Sequence, residues 1–154
     1  VRFLLDAGHK VTVLDNLEYG ADSLLRYVGD ENFNFEKLDV RRTDLMKPFM
    51  TKADVIIPLA CLVGFPLCER RPTDAKQVNF EVNQWIAANK SDEQMLIYPC
   101  TNSGYGVSDD GNVCTEESPL NPISLYGITK VDAQKSYQDN EGCLTRRVAT
   151  VFGT

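Results

Sequence analysis

Apolar positions along the chain recur with two periods that alternate. Val1, Leu4 and Leu5 share one helical face and Gly8 is a good stop, so residues 1–7 read as the last turns of a helix. Residues 10–14 read as a strand, 21–28 as a short helix, and 33–38 as a half-buried strand, because apolar and polar residues alternate there. Residues 43–47 read as a helical turn with Thr43 as its cap and Pro48 near its end. The unbroken apolar run 55–60 predicts a fully buried strand. Residues 72–90 form a long amphipathic helix, with Ala75, Val78, Val82, Trp85 and Ile86 on one side. Strand 95–100, helix 125–138 and strand 144–151 complete the series. Strands alternating with helices predict an α/β fold, a parallel sheet covered on both faces. No repeat, low-complexity tract or linker divides the chain, so residues 1–154 are read as a single domain.

Composition narrows the function classes. A chain of 154 residues is long enough to bury a core, and its net charge of −6 argues against a general nucleic-acid surface. The apolar runs are too short to cross a membrane, and no basic-then-apolar leader is seen, so the expected location is cytoplasmic. The five cysteines contain no C-x-x-C pair and His9 is the sole histidine, which makes a metal site improbable and predicts free thiols. Cys61 and Cys100, at the ends of apolar strands, read first as small buried hydrophobes.

The chemistry centres on Tyr126-Gly127-Ile128-Thr129-Lys130. A tyrosine and a lysine four residues apart stand one helical turn apart on one face. A nearby ammonium favours the phenolate, which would lower the tyrosine pKa and make it usable as an acid-base group near neutrality. Upstream, Leu96-Ile97-Tyr98-Pro99-Cys100-Thr101 is a buried strand ending in a hydroxyl, and it runs into Asn102-Ser103-Gly104-Tyr105-Gly106.

Together with Val13-Leu14-Asp15-Asn16, Leu38-Asp39-Val40, the run 53–60 and Val148-Ala149-Thr150-Val151-Phe152-Gly153, these segments resemble the extended short-chain dehydrogenase/reductase superfamily. The resemblance is to its nucleoside-diphosphate-sugar epimerases and dehydratases. Each segment is unspecific alone; their shared order over nearly the whole chain carries the resemblance. It implies a Rossmann-like, doubly wound parallel sheet and NAD as cofactor. Neither the first strand nor a G-x-x-G-x-x-G turn lies upstream of Asp15. The chain therefore reads as part of a longer protein, one lacking the first strand, the phosphate loop and most of the substrate region, and the parent protein is the expected enzyme.

The resemblance assigns roles residue by residue. Thr101, Tyr126 and Lys130 match the catalytic Ser/Thr-Tyr-Lys set: Thr101 orients the sugar hydroxyl, Tyr126 takes its proton, and Lys130 holds the nicotinamide ribose. Asp15 would accept from the adenosine ribose with help from Asn16, favouring NAD over NADP; a turn aspartate is the alternative. Asp39, beside Val40, would lie near the adenine, or be a surface turn acid. Leu59, Ala60 and Cys61 would let the backbone approach the cofactor, with Pro58 in place of a frequent histidine. Asn79 matches an asparagine bonded to backbone near the site, with or without a cofactor contact. Arg147 matches the usual arginine of the last strand, and Thr150 replaces an asparagine near the substrate. Residues 64–71 read as a loop above the strand ends, either a substrate contact or a solvated lead-in to the next helix.

Asn102 and Ser103 stand where the family's dehydratases carry an acidic pair, and its decarboxylases a glutamate. The expectation is thus NAD-dependent epimerisation of a nucleotide sugar through a keto-sugar. Two alternatives stay open: a non-epimerising oxidoreductase or dehydratase on the same scaffold, and a non-catalytic NAD-binding module. A homodimer through the Trp85 and Tyr126 helices is implied by analogy.

Overall fold

The computed structural model describes residues 1–107 and 113–149, and these divide between two compact units, Val1–Met50 and Thr51–Thr154. In the first unit, α1 (Arg2–Asp6) ends at Gly8, whose φ of +83° is the left-handed turn that a glycine makes without strain. Strand β1 (Val11–Asp15) pairs in parallel with β2 (Phe33–Lys37), Val11 opposite Phe33 and Asp15 opposite Lys37. The short helix α2 (Asp22–Leu25) connects them. Helix α3 (Thr43–Met50) is longer than the predicted turn and carries Pro48 inside it. Met46 and Met50, one turn apart, are both buried, and that burial offsets the backbone bond that proline removes.

The second unit holds a three-stranded parallel sheet in the order β3 (Val55–Ile56), β4 (Met95–Thr101), β5 (Cys143–Val148). Strand β4 (Met95–Thr101) is central, with Leu96 opposite Cys143 and Thr101 opposite Val148 of β5 (Cys143–Val148). The Gln94 side chain donates to the Ala53 carbonyl at 2.6 Å and sets β4 beside the chain that enters β3. Strand β3 is only Val55–Ile56. The predicted fully buried strand 55–60 is therefore corrected. Beyond Ile56 the chain leaves the ladder, Pro58 has no N–H to give it, and Leu59 is 70 % exposed. An apolar run does not reveal whether both of its faces will be covered. Thr150 and residues 151–153, read as the end of the last strand, lie outside the described residues.

Residues 65–70, expected as part of a loop, form helix α4 (Phe65–Arg70), entered through Pro66 and buried at Cys68. The predicted long helix is one helical run in three parts. These are α5 (Pro72–Lys76), a π-helical turn (Gln77–Glu81) and α6 (Val82–Asn89). The wider turn changes which residues face inward: Asn79 and Asn83 are buried with Ala75, Val82 and Ile86, while Val78 and Trp85 are half-buried. Helix α7 (Leu125–Tyr137) begins at Ser124, whose hydroxyl accepts from the Gly127 N–H at 3.1 Å. Leu62, Cys68 and Ala75 form a core cluster against which Leu67, Val78, Leu125 and Tyr126 pack. Among the described residues no helix is long and apolar enough to cross a membrane.

Candidate active site

Strand β4 delivers Thr101 as its last residue, and a single 3-10 turn (Asn102–Tyr105) follows. Thr101 caps that turn: its Oγ1 accepts from the Ser103 N–H at 3.2 Å and stands 3.2 Å from the Ser103 hydroxyl. The turn packs on the start of α7, and two glycines permit the approach. A Cβ on Gly127 would stand 2.9 Å from the Ser103 carbonyl oxygen, and one on Gly104 would stand 2.8 Å from a Val131 methyl. This close fit brings Thr101 to the phenol of Tyr126. Tyr126 is half-buried, whereas Lys130, one turn further on, is only 5 % exposed.

The electrostatics depart from expectation. Burial raises the Tyr126 pKa, the Cys61 thiol acts in the same sense, and the neighbouring Thr101 hydroxyl pulls the other way. The net direction is up, so the predicted lowering by Lys130 is corrected for this arrangement. The chief reason is burial of the phenol, while Lys130 Nζ lies 4.1 Å from the centre of the Tyr98 ring. Burial also lowers the Lys130 pKa, against an opposing influence of the Cys61 and Cys100 sulfurs. Cys61 is half-buried and its thiol is pushed up to about 11, mainly by burial. Cys100 is buried, and its Sγ lies 3.5 Å from the Lys130 carbonyl oxygen. Cys61, Cys68, Cys100, Cys114 and Cys143 are all free.

Asn79 locks the segment after β3 in place. Its Oδ1 accepts from the Leu62 N–H at 2.8 Å and its Nδ2 donates to the Leu62 carbonyl at 3.0 Å and to Thr129 Oγ1 at 3.4 Å. One side chain thus ties the Cys61–Leu62 segment, the π-helical turn and α7 together. Behind it Asn83 Nδ2 donates to the Asn79 carbonyl, and Asn83 Oδ1 accepts from the Tyr137 hydroxyl at 2.8 Å. Tyr137 packs on Tyr98 with ring centres 5.2 Å apart. Sequence reasoning passed over Tyr98, Asn83 and Tyr137. A tyrosine within an apolar strand was the available signal, since a buried phenol needs a partner.

Leu59 and Ala60 are exposed just before Cys61. Arg147 joins β5 to its neighbours, donating to Gln134 Oε1, the Tyr105 hydroxyl and the Glu116 carbonyl at 3.1, 3.1 and 2.9 Å. Asn102, Tyr105, Thr115, Glu116 and Arg147 line an open recess of about 400 Å³.

In the first unit, Asp15 ends β1 and is exposed. Its Oδ1 accepts from the Leu17 N–H at 2.6 Å, which supports Leu17 at a φ of +61°. Asn16 makes the same kind of turn to the Glu18 N–H at 3.0 Å. Asp39, beside the half-buried Val40, accepts from Arg41 Nε at 3.0 and 3.1 Å, and the Arg41 guanidinium holds its carboxyl below the usual range.

Comparison with known proteins agrees with this architecture. Low-salt glycan biosynthesis protein Agl12 of Haloferax volcanii is 30 % identical over 163 residues, covering 99 % of this chain and 52 % of that protein. The crystal structure of DesIV, a dTDP-glucose 4,6-dehydratase from Streptomyces venezuelae with NAD bound, superposes with a TM-score of 0.80 at 25 % identity. That match covers 96 % of this chain and 50 % of DesIV. A UDP-glucuronic acid 4-epimerase from Bacillus cereus in complex with NAD shares the fold, with a TM-score of 0.82 at 21 % identity over 99 % of this chain and 52 % of that one. The chain thus spans about half the length of the relatives it matches. The model of the NAD dependent epimerase/dehydratase family matches residues 1–145, and the chain belongs to that family.

Proposed function

We propose that the protein carrying this chain is an NAD-dependent enzyme that epimerises a nucleotide sugar through a keto-sugar. The observation that carries the reading is the contact of Thr101, the last residue of β4, with the Tyr126 phenol, with Lys130 one turn further along α7 and Asn102 and Ser103 as the next residues after Thr101. Neither Asn102 nor Ser103 can act as a general acid at neutral pH, so the two positions after Thr101 supply no acid to expel water. Proton transfer then falls to Tyr126 alone, which suits oxidation and reduction at one carbon better than dehydration.

The residues present fit the cofactor. Lys130 is a buried cation with no carboxylate in ion-pair reach among the described residues, as suits a lysine that meets ribose hydroxyls. Leu59 and Ala60 are exposed and lead into the half-buried Cys61, which leaves room for a cofactor to approach. In this proposal Asp15 and Asn16 hold the adenosine ribose, and Asp39 and Val40 face the adenine. Tyr126 and Lys130 hold the nicotinamide end. Bound NAD+ supplies the hydride acceptor. Thr101 orients the reacting hydroxyl and Tyr126 accepts its proton, then returns it. A pairing of two copies through the Trp85 and Tyr126 helices belongs to the same proposal, with Ile128, 40 % exposed, as the apolar point on α7.

The test is product analysis with a panel of nucleotide sugars. Interconversion of two epimers without net NADH production supports the reading, while stoichiometric NADH or loss of water from the sugar overturns it. Replacing Tyr126 by Phe is expected to reduce turnover by at least about a hundredfold, the usual worth of a positioned acid-base group, with NAD+ affinity retained.

A further inference from the structure

Lys130 poses an electrostatic problem that the proposed chemistry does not resolve. Its side chain is almost wholly enclosed, and none of the hydrogen bonds or ion pairs of the described residues involves its ammonium. The groups that face it are the Cys61 and Cys100 thiols and the ring of Tyr98. Cys61 and Cys100 are both held in the neutral thiol form by burial, as are the phenols of Tyr98 and Tyr126. Among the described residues no formal negative charge therefore compensates the cation near neutral pH. What does face it at short range is the π-cloud of Tyr98, 4.1 Å away, and an aromatic face attracts a desolvated cation strongly.

Tyr98 is built to hold that position. It is 0 % exposed, its hydroxyl lies 3.4 Å from the Lys130 carbonyl oxygen, and its ring is braced by Tyr137. Tyr137 is in turn anchored on Asn83. The ring is therefore fixed relative to the α7 turn that bears Lys130.

We infer that Tyr98 is a positioning residue that docks the Lys130 ammonium on its ring face, holding it charged and away from the Tyr126 phenol until a ligand with hydroxyl acceptors draws it over. The inference rests on the active-site reading above for the identity of that ligand, a ribose of the cofactor, but the docking itself does not. It accounts for two observations together: the buried lysine with no anionic partner among the described residues, and the Tyr126 phenol whose pKa is raised rather than lowered.

The experiment is an NMR titration of Lys130 in protein labelled with 13C at lysine Cε, the signal assigned by its loss in Lys130→Arg. Four forms are compared: the parent protein, Tyr98→Phe, Tyr98→Leu, and Tyr98 replaced by pentafluorophenylalanine, which nearly keeps the ring's shape but removes its negative face. The expected result is a Lys130 pKa within a few tenths of the parent in Tyr98→Phe, and lower by about one unit in the Leu and fluorinated forms, a tenfold change in the protonation equilibrium. The fluorinated form keeps the test decisive if Tyr98→Leu does not fold. In turnover, the basic limb of the pH profile should move down with the same variants, and Phe should restore it. An unmoved Lys130 titration in the fluorinated form, or a fall in Tyr98→Phe as large as in Tyr98→Leu, overturns the docking. A titration that follows ring electron density in a protein without nucleotide-sugar turnover supports the docking and refutes the enzyme reading alone.

Discussion

Replacing Asn79 by Ala tests how the site is assembled. The side chain satisfies both the N–H and the carbonyl of Leu62, at 2.8 and 3.0 Å, and reaches Thr129 on α7. Asn79 is 1 % exposed and Leu62 5 % exposed, so water cannot readily take over. Each orphaned buried backbone group costs about 1–3 kcal/mol. The bond to Thr129 is long, and the Thr129 hydroxyl keeps the Leu125 carbonyl at 2.8 Å, so its loss adds little. The expected loss is about 3 kcal/mol, which at a urea m-value of about 2 kcal/mol/M moves the midpoint down by about 1.5 M. Asn79→Asp should be comparably harmful, because it keeps the acceptor for the Leu62 N–H but turns an oxygen toward the Leu62 carbonyl. The assay is equilibrium urea unfolding followed by tryptophan fluorescence, since Trp85 lies on α6. A loss below about 1 kcal/mol in Asn79→Ala would show that Leu62 finds other partners and that the segment before α4 is not pinned by this residue.

Gly127→Ala opposes two terms: alanine gains about 1 kcal/mol of helix propensity, while a methyl 2.9 Å from the Ser103 oxygen costs about 1–3 kcal/mol. A net loss of stability is expected by urea unfolding, and stabilisation by about 1 kcal/mol would disprove the close approach of α7 to the catalytic turn. Cys114 is the exposed thiol and Cys68 and Cys100 are buried, so Ellman's reagent should titrate Cys114 first, with Cys68 and Cys100 released only on unfolding. Because the folded pKa of Cys61 is raised from 9.0 to about 11, its contribution to stability is full below pH 9 and is lost as pH rises through 11. Cys61→Ala should therefore flatten the fall in unfolding free energy between those pH values, as measured by urea midpoints at each pH.

Much of the fold was legible because the relevant signals are local. Period-2 and period-3.6 patterns located β1, β2, β4 and α7 to within a residue or two and the start of β5 to within one, and Gly8 marked the end of α1 as its positive φ requires. The failures share a different cause. The run 55–60 looked fully buried because composition reports apolarity and not which faces acquire a neighbour; Pro58 was the one local warning. Helix α4 was hidden by its length, since six residues hardly show a period. The π-helical turn was invisible because it arises from tertiary packing that swings Asn79 and Asn83 inward, and a straight helix drawn from the sequence puts Val78 there instead.

The site shows the same division at the level of charge. Spacing alone puts Tyr126 and Lys130 on one face of α7, and that much is observed. Spacing does not say where a four-carbon side chain places its ammonium. An isolated helix would leave Lys130 free to approach the phenol, and the tyrosine pKa would fall. In the folded chain, burial takes water from both groups in part, and among the described residues the field that the lysine meets at short range is the Tyr98 face rather than a phenol that burial keeps neutral. With the ammonium docked on Tyr98 as inferred above, a ligand that offers hydroxyl acceptors between base and cation would be needed to bring the two into concert. On that argument Tyr126 should titrate at lower pH with NAD+ bound than without it. The difference spectrum of the phenolate near 295 nm, recorded with NAD+ present and absent, measures the shift directly, and an unchanged titration would mean that Lys130 acts on the substrate by a route that does not pass through Tyr126.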